Sequence, residues 1–282
     1  MSSDIGIDHK TTLDPDVAAA FGVSPDISLM PGGVDLKTFR SGNIVLRNLG
    51  THSQEAGVWN AELFSNVKEK GFRVAKPIKA HDGSWIVNGW IAEEFLKGSH
   101  ATKDDLPVVI NAITQFHKAL IGITLPDYRR KELTIWDRAD QMAWGEIPKD
   151  IDPQLYKLAI ELDVLRKPVA VSNQLIHGDL NLNNILIADN VPPAIIDLAP
   201  YWRPAEFALA VMAYWVGPYE GDIRILDKFK QVEEFDQMLI RAGLRMMLTQ
   251  KDLRHATDLQ AYRKANEVIK QYVSSNSAED RT

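Results

Sequence analysis

Near residue 98 the spacing of apolar residues changes, and this change most constrains how the 282-residue chain can fold. Before it, short apolar runs alternate with turn signals such as Ser41-Gly42-Asn43, which is typical of hairpins, and one helix is predicted at 53–70. After it, apolar residues recur every three to four positions, which predicts helices. Only a short β-like island at 175–198 interrupts them. These patterns predict an α+β chain with a small β-rich lobe followed by a larger helical lobe.

The predicted boundaries divide the chain into four parts. Both ends are polar and lack periodicity, so we expect disordered tails at 1–13 and 274–282. Between them we expect the β-rich lobe at 14–97 and the helical lobe at 98–273. Helices of the second lobe are predicted at 106–120, 136–144, 153–166, 204–215, 232–248 and 253–273.

Composition removes several classes of function. The absence of cysteine excludes disulfides, thiolate metal sites and a cysteine nucleophile. A net charge of −6, from 32 Lys and Arg against 38 Asp and Glu, gives no electrostatic basis for binding a nucleic acid. No apolar run approaches the ~20 residues that span a bilayer, and the first residues do not resemble a signal peptide. We therefore expect a soluble, cytoplasmic protein with no membrane or nucleic-acid partner.

The island at 175–198 carries the polar residues with the clearest chemical meaning. Phosphoryl transfer needs a carboxylate that receives the proton of the attacking hydroxyl, and oxygen ligands for Mg²⁺. Asp179 suits the first need, and Asn184 and Asp197 suit the second. Asn184 precedes one short apolar strand and Asp197 ends the next. A tight turn between the strands would bring both residues to one edge of a ribbon, where a single ion can contact both.

The run His177-Gly178-Asp179-Leu180, followed by Asn184, resembles the catalytic loop of the aminoglycoside phosphotransferase and choline kinase branch of the protein-kinase-like fold. Asp197, eighteen residues after Asp179, stands where that family has its second metal-binding Asp. The order of the two lobes also fits the family. The resemblance implies a two-lobed kinase-like fold in which ATP lies between the lobes. It further implies Asp179 as the catalytic base and Asn184 and Asp197 as the Mg²⁺ ligands.

The resemblance also assigns roles in the first lobe. Gly32 and Gly33 open a hairpin where the family has its phosphate-covering loop. Arg47 stands where the family commonly has a Lys that contacts the α- and β-phosphates; it keeps the positive charge but offers a planar fork. Its expected partner is Glu62 on the following helix, with Glu55 as the alternative.

Two further parts of the site follow from the resemblance. The segment 93–98 resembles the hinge, where backbone groups of Glu94 and Leu96 are expected to hold the adenine. The second substrate would approach just after the metal-binding Asp, at a run that is expected to shape the acceptor pocket: Tyr201, Trp202 and Arg203. A packing role is the alternative for Trp202. Two histidines, His117 and His177, are expected to be structural.

The leading hypothesis is therefore an ATP- and Mg²⁺-dependent kinase that phosphorylates a hydroxyl of a small molecule. Antibiotics, choline-like compounds, sugars and amino alcohols are all compatible acceptors. Two alternatives stay open. Arg47 and the incomplete glycine loop also suit a kinase-like protein that binds nucleotide without efficient transfer, and the same metal ligands would permit nucleotidyl transfer.

Overall fold

The strand-like first part and the helical second part of the sequence fold into a mixed α+β structure. A computed structural model describes these parts of the chain: residues 13–24, 27–30, 38–50, 53–131, 133–150, 152–250 and 259–279. Gly32 and Gly33, assigned to the phosphate-covering loop, lie outside the described residues. The predicted tail at 1–13 is described only at Leu13, which is buried among apolar residues of the first lobe rather than solvated.

A five-stranded antiparallel sheet forms the first lobe, in the order β1-β2-β3-β6-β5. The elements up to residue 94 are α1 (Pro15–Phe21), β1 (Ser28–Leu29), β2 (Thr38–Ser41), β3 (Ile44–Asn48), α2 (Gln54–Asn66), β4 (Arg73–Val74), β5 (Pro77–Ile78) and β6 (Trp90–Glu94). Gly42, with a φ of +59°, makes the predicted turn between β2 and β3. Strand β3 therefore lies in the middle of the sheet, next to β6.

Helices dominate the second lobe. Its elements are β7 (Ser99–His100), α3 (Leu106–Ala119), α4 (Tyr128–Lys131), α5 (Ile135–Trp144), α6 (Pro153–Asp163), β8 (Gln174–His177), β9 (Ile185–Ile187), β10 (Ala194–Ile195), β11 (Pro200–Arg203), α7 (Ala205–Val216), α8 (Phe235–Leu248) and α9 (Leu259–Glu279). Short 3₁₀ turns lie at Lys103–Asp105, Leu182–Asn184, Pro218–Glu220 and Ile223–Phe229. No described helix is long and apolar enough to cross a membrane.

The core of the second lobe surrounds α7, which is buried along almost its whole length because apolar residues occupy every face of it. Helices α5, α6, α8 and α9 contribute their apolar faces to the same core. Helix α9 ends at Glu279, so residues 274–279 are helical and not part of a disordered tail. Near this end of the helix Ser275 donates a hydrogen bond to the carbonyl of Gln271 at 3.0 Å, which satisfies its hydroxyl within the helix.

A second, four-stranded sheet in the order β4-β10-β9-β7 lies where the two lobes meet. Strand β4 comes from the first lobe and runs parallel to β10. The chain leaves the first sheet for the last time at Glu94 and enters the second sheet again at Ser99. The small sheet therefore places the loop between β8 and β9, and the end of β10, near β3 of the first lobe.

Candidate active site

Asn184 and Asp197 lie at the same edge of the β9–β10 ribbon. Ile185 is paired with Ile195 in the antiparallel ladder, and the N–H of Ile196 donates to the carbonyl of Asn184 at 3.0 Å. Asn184 therefore enters the ribbon beside the point where Asp197 leaves it. The structure brings these two residues together as the strand–turn–strand pattern predicts.

Asp197 has a left-handed backbone, with a φ of +55°. Asp tolerates this conformation better than most residues, but it costs energy, and such residues cluster at functional sites. The turn leaves the Asp197 side chain 64% exposed, and its Oδ1 lies 3.9 Å from Nη1 of Arg47 on β3. A carboxylate from the second lobe thus meets a cation from the first.

The backbone of Asp179 is held from both sides while its side chain is exposed. Its N–H donates to Nδ1 of His177 at 3.2 Å, and its carbonyl accepts from Nδ2 of Asn184 at 2.7 Å. The Asn184 amide group is oriented by this bond, which leaves its Oδ1 as the acceptor atom. An exposed carboxylate on a fixed backbone is the arrangement that a catalytic base requires.

His177 is buried and connects the loop to the end of β10. Its Nδ1 accepts hydrogen bonds from the amides of Asp179 and Ala199, so Nε2 carries the proton and donates to the carbonyl of Ile196 at 3.1 Å. Burial lowers the pKa of His177 to about 4, so the ring is neutral at pH 7. Nε2 of the buried His117 accepts from the N–H of His177 at 3.1 Å. Both histidines are structural, as the sequence predicts.

Gly178 is required because the Tyr201 ring packs directly against it. A Cβ at residue 178 would lie 2.2 Å from Cδ2 of Tyr201. We expect Gly178→Ala to lower the free energy of unfolding by about 1–3 kcal/mol, a typical cost of overpacking, and this can be measured by denaturant unfolding. The penalty should shrink in a Tyr201→Ala background, because the clash is then absent. Strictly additive effects of the two substitutions would contradict this explanation.

Arg47 lies between two carboxylates. Its Nη2 is 3.8 Å from Oε2 of Glu93, and its Nη1 is 3.9 Å from Oδ1 of Asp197. No hydrogen bond engages its side chain in the part of the chain that the structure describes, and its Nε is buried without a partner. Burial raises the pKa of Glu93, Arg47 opposes this rise, and Asp197 adds to it.

The expected pair between Arg47 and Glu62 is not among the ion pairs of the described residues. Glu62 is exposed and lines a surface pocket with Ala119 and Ile123, on the side of α2 that faces the second lobe. The alternative partner, Glu55, lies near Tyr128, where burial first and then Glu55 raise the pKa of the phenol to about 12. Sequence reasoning missed Glu93 because only the register of β3 against β6 reveals it.

The predicted hinge segment has two of its amides already engaged. The N–H of Glu94 donates to the carbonyl of Lys76, and the N–H of Phe95 donates to the carbonyl of Asn43, both at 2.8 Å. Neither bond uses the amide of Leu96. A contact between adenine and Glu94 would therefore use the carbonyl of Glu94.

The three residues expected to shape the acceptor pocket lie on β11, which pairs antiparallel with β8. Tyr201 and Arg203 are buried, whereas Trp202 between them is 40% exposed. Arg203 donates to Asp140 at 2.7 Å and to Glu146 at 2.5 Å. Its guanidinium is thus committed to internal ion pairs, and Tyr201 packs on Gly178. Of the three, only Trp202 is open to solvent.

Known proteins resemble this chain in family pattern and in fold. The model of the family described as "APH: Phosphotransferase enzyme family" matches residues 37–243. No curated protein matches the chain in sequence. Amicoumacin kinase in complex with AMP-PNP, Ca²⁺ and Ami is a similar solved structure, with a TM-score of 0.61 and 16% identity over 91% of this chain and 92% of that one.

Two other solved structures show the same fold. The microcompartment-associated aminopropanol kinase has a TM-score of 0.59 and 16% identity, over 92% of this chain and 94% of that one. Spectinomycin phosphotransferase in complex with ADP has a TM-score of 0.55 and 14% identity, over 92% and 96%. The predicted two-lobed α+β fold is confirmed. Because the family model matches well over half of the chain, the protein belongs to the phosphotransferase enzyme family.

Proposed function

We propose that the protein is a small-molecule kinase that transfers the γ-phosphate of ATP to a hydroxyl group, with Asp179 as the base. One observation carries the proposal: neighbouring contacts link Arg47 of the first lobe to three polar residues of the second lobe that lie within 179–197. Nδ2 of Asn184 is 2.7 Å from the carbonyl of Asp179, the backbone of Asn184 is bonded to β10 just before Asp197, and Asp197 lies 3.9 Å from Arg47.

Arg47 suits the binding of phosphate groups. A buried N–H without an acceptor is costly, and the Nε of Arg47 is such a group. Its two ion pairs, at 3.8 and 3.9 Å, are longer than hydrogen bonds, so the donors of the guanidinium are free to engage a ligand. Phosphate oxygens match the planar fork of Arg and would satisfy these donors.

Asn184 and Asp197 suit Mg²⁺, because an amide oxygen and a carboxylate are the hard oxygen ligands that this ion takes. In the described residues no group of three or more His, Asp or Glu side chains could hold a metal by itself. Phosphate oxygens and water would therefore complete the coordination. The bound ion would neutralise charge that develops on the phosphates.

Asp179 suits the role of base because its carboxylate is exposed beside this site. It would orient the acceptor hydroxyl and take its proton while the hydroxyl oxygen bonds to the γ-phosphorus. The bond from that phosphorus to ADP breaks, and ADP leaves with the electron pair. Among the similar structures are kinases of amicoumacin and of aminopropanol, and we propose a hydroxyl-bearing acceptor of that kind for this protein. The exposed Trp202 would border it.

We expect Mg·ATP at about 100 times its dissociation constant to stabilise the protein by about 2.7 kcal/mol. For a chain of this size the melting temperature should rise by roughly 5 to 10 °C, which differential scanning fluorimetry can measure. ATP with EDTA, and Mg²⁺ alone, are the controls and should give smaller shifts. A folded protein that shows no shift with Mg·ATP would contradict a nucleotide site.

A screen of hydroxyl compounds for ADP release tests the transfer itself. ADP together with a phosphorylated acceptor supports the proposal. Release of pyrophosphate would instead indicate nucleotidyl transfer, and tight binding of ATP without turnover on any acceptor class would indicate a binding protein.

A further inference from the structure

We infer that Glu93 is the positioning residue for Arg47, in the role that the family resemblance assigns to an acidic residue on α2. The inference rests on the proposed function, since it takes Arg47 as the residue that binds the nucleotide phosphates. It concerns a residue of the central sheet that neither the sequence pattern nor the family match singles out.

The register of the sheet places the two side chains on one face. Arg47 on β3 is opposite Ile91 on β6, and Val45 is opposite Glu93. Residues two apart on a strand share a face, so Arg47 and Glu93 are diagonal neighbours across the ladder. Both side chains are partly buried, with 36% and 25% exposed, where an ion pair is screened less than at the open surface.

Helix α2 cannot easily provide the partner, because its buried residues, Gly57, Ala61 and Leu63, carry no charge. Gly57 and Ala61 are buried, and the α-carbon of Gly57 packs so closely that a Cβ would lie 3.0 Å from Leu49. Gly57 and Ala61 are four residues apart, so they lie on the same side of the helix. Glu62 projects on another side, into the pocket formed with Ala119. The anion beside Arg47 therefore comes from the sheet.

Glu93 also has a consequence for the metal ligand. Arg47 is almost equally distant from Glu93 and Asp197, at 3.8 and 3.9 Å. Without the charge of Glu93, Asp197 would be its sole carboxylate partner among the described residues. Arg47 would then compete with a divalent cation for Asp197. Glu93 would hold the guanidinium near the phosphates without leaving Asp197 as its only counter-ion.

The test compares a ligand that has phosphates with one that has none. We expect Glu93→Gln to weaken the binding of Mg·AMP-PNP by about 5- to 30-fold, a typical coupling for neighbouring charged groups, and to leave the affinity for adenosine within about twofold. Isothermal titration calorimetry measures both. Glu62→Gln, the same chemical change at the residue expected from the resemblance, should alter neither affinity. In an Arg47→Ala background, Glu93→Gln should add less than about twofold, because its effect acts through Arg47.

The inference is overturned if Glu93→Gln leaves Mg·AMP-PNP binding unchanged, or if Glu62→Gln weakens it as strongly. An equal loss of adenosine and AMP-PNP binding overturns it too, since Glu93 would then support the neighbouring adenine site. A wild-type protein that binds no Mg·AMP-PNP would overturn both the proposed function and the inference. Wild-type binding with an unaffected Glu93→Gln variant overturns the inference alone.

Discussion

Replacing Asp179 by Asn is expected to reduce turnover by about 10²- to 10⁴-fold, the usual contribution of a positioned base, while the affinity for Mg·ATP changes little. The amide has nearly the shape of the carboxylate but cannot accept the proton of the hydroxyl. ADP release with an acceptor found in the screen measures the first quantity, and calorimetry with Mg·AMP-PNP measures the second.

The substitution should remove the carboxylate without disturbing the loop. The contacts that hold Asp179 use its backbone, through the ring of His177 and the amide group of Asn184, and not its carboxylate. The loop should therefore keep its conformation in the variant. A loss confined to kcat would show that the carboxylate acts in the transition state and not in nucleotide binding.

Asn183→Ala is the matched control, because Asn183 is exposed in the same loop and its bond to Asn181 uses the main chain of Asn183. It should retain nearly full activity. Turnover by Asp179→Asn within a few-fold of wild type, with correct folding, would remove Asp179 from the role of base.

The parts of the site that sequence could predict are the local ones. Asn184 and Asp197 flank two strands joined by a tight turn, so pairing of those strands alone brings them to one edge. The position of Asp179 follows from the same loop. The structural histidine His177 is predictable for the same reason, because its partners lie within the loop and the ribbon.

The parts that sequence could not predict depend on register and packing between distant segments. Glu93 meets Arg47 only because β3 and β6, separated by α2 and two short strands, pair with one particular register. The packing of Leu13 against the first sheet depends in the same way on contacts that no local pattern encodes. Arg203 follows Asp197 closely in sequence, yet the pleat of β11 turns it inward to Asp140 on α5.

Asp140 lies at the centre of a buried charge cluster behind β11. It is 3% exposed and accepts a hydrogen bond from Arg203, and Nη1 of Arg245 is 3.9 Å from its Oδ1. Arg245 is itself 1% exposed and stacks over the ring of Tyr201 at 4.7 Å. The cluster thus joins α5, α8 and β11 through charges that water does not reach.

We expect Asp140→Asn to lower the free energy of unfolding by about 3–5 kcal/mol, because it removes the carboxylate paired with the buried Arg245 and leaves Arg203 paired with Glu146 alone. The melting temperature should fall by roughly 6 to 15 °C, as calorimetry can measure. Glu161→Gln removes one carboxylate from an exposed pair with Lys270 at 2.6 Å, and should cost less than about 1 kcal/mol.

The comparison of these two variants separates burial from pairing as the source of stability. Both remove one carboxylate from an ion pair with a similar N–O distance, so equal effects would show that the surroundings of Asp140 contribute nothing. Below its melting temperature the Asp140→Asn protein should still bind Mg·AMP-PNP, because the cluster lies behind β11 and contributes no group to the phosphates. A selective loss of nucleotide binding at full stability would instead place Asp140 and Arg203 in the active site.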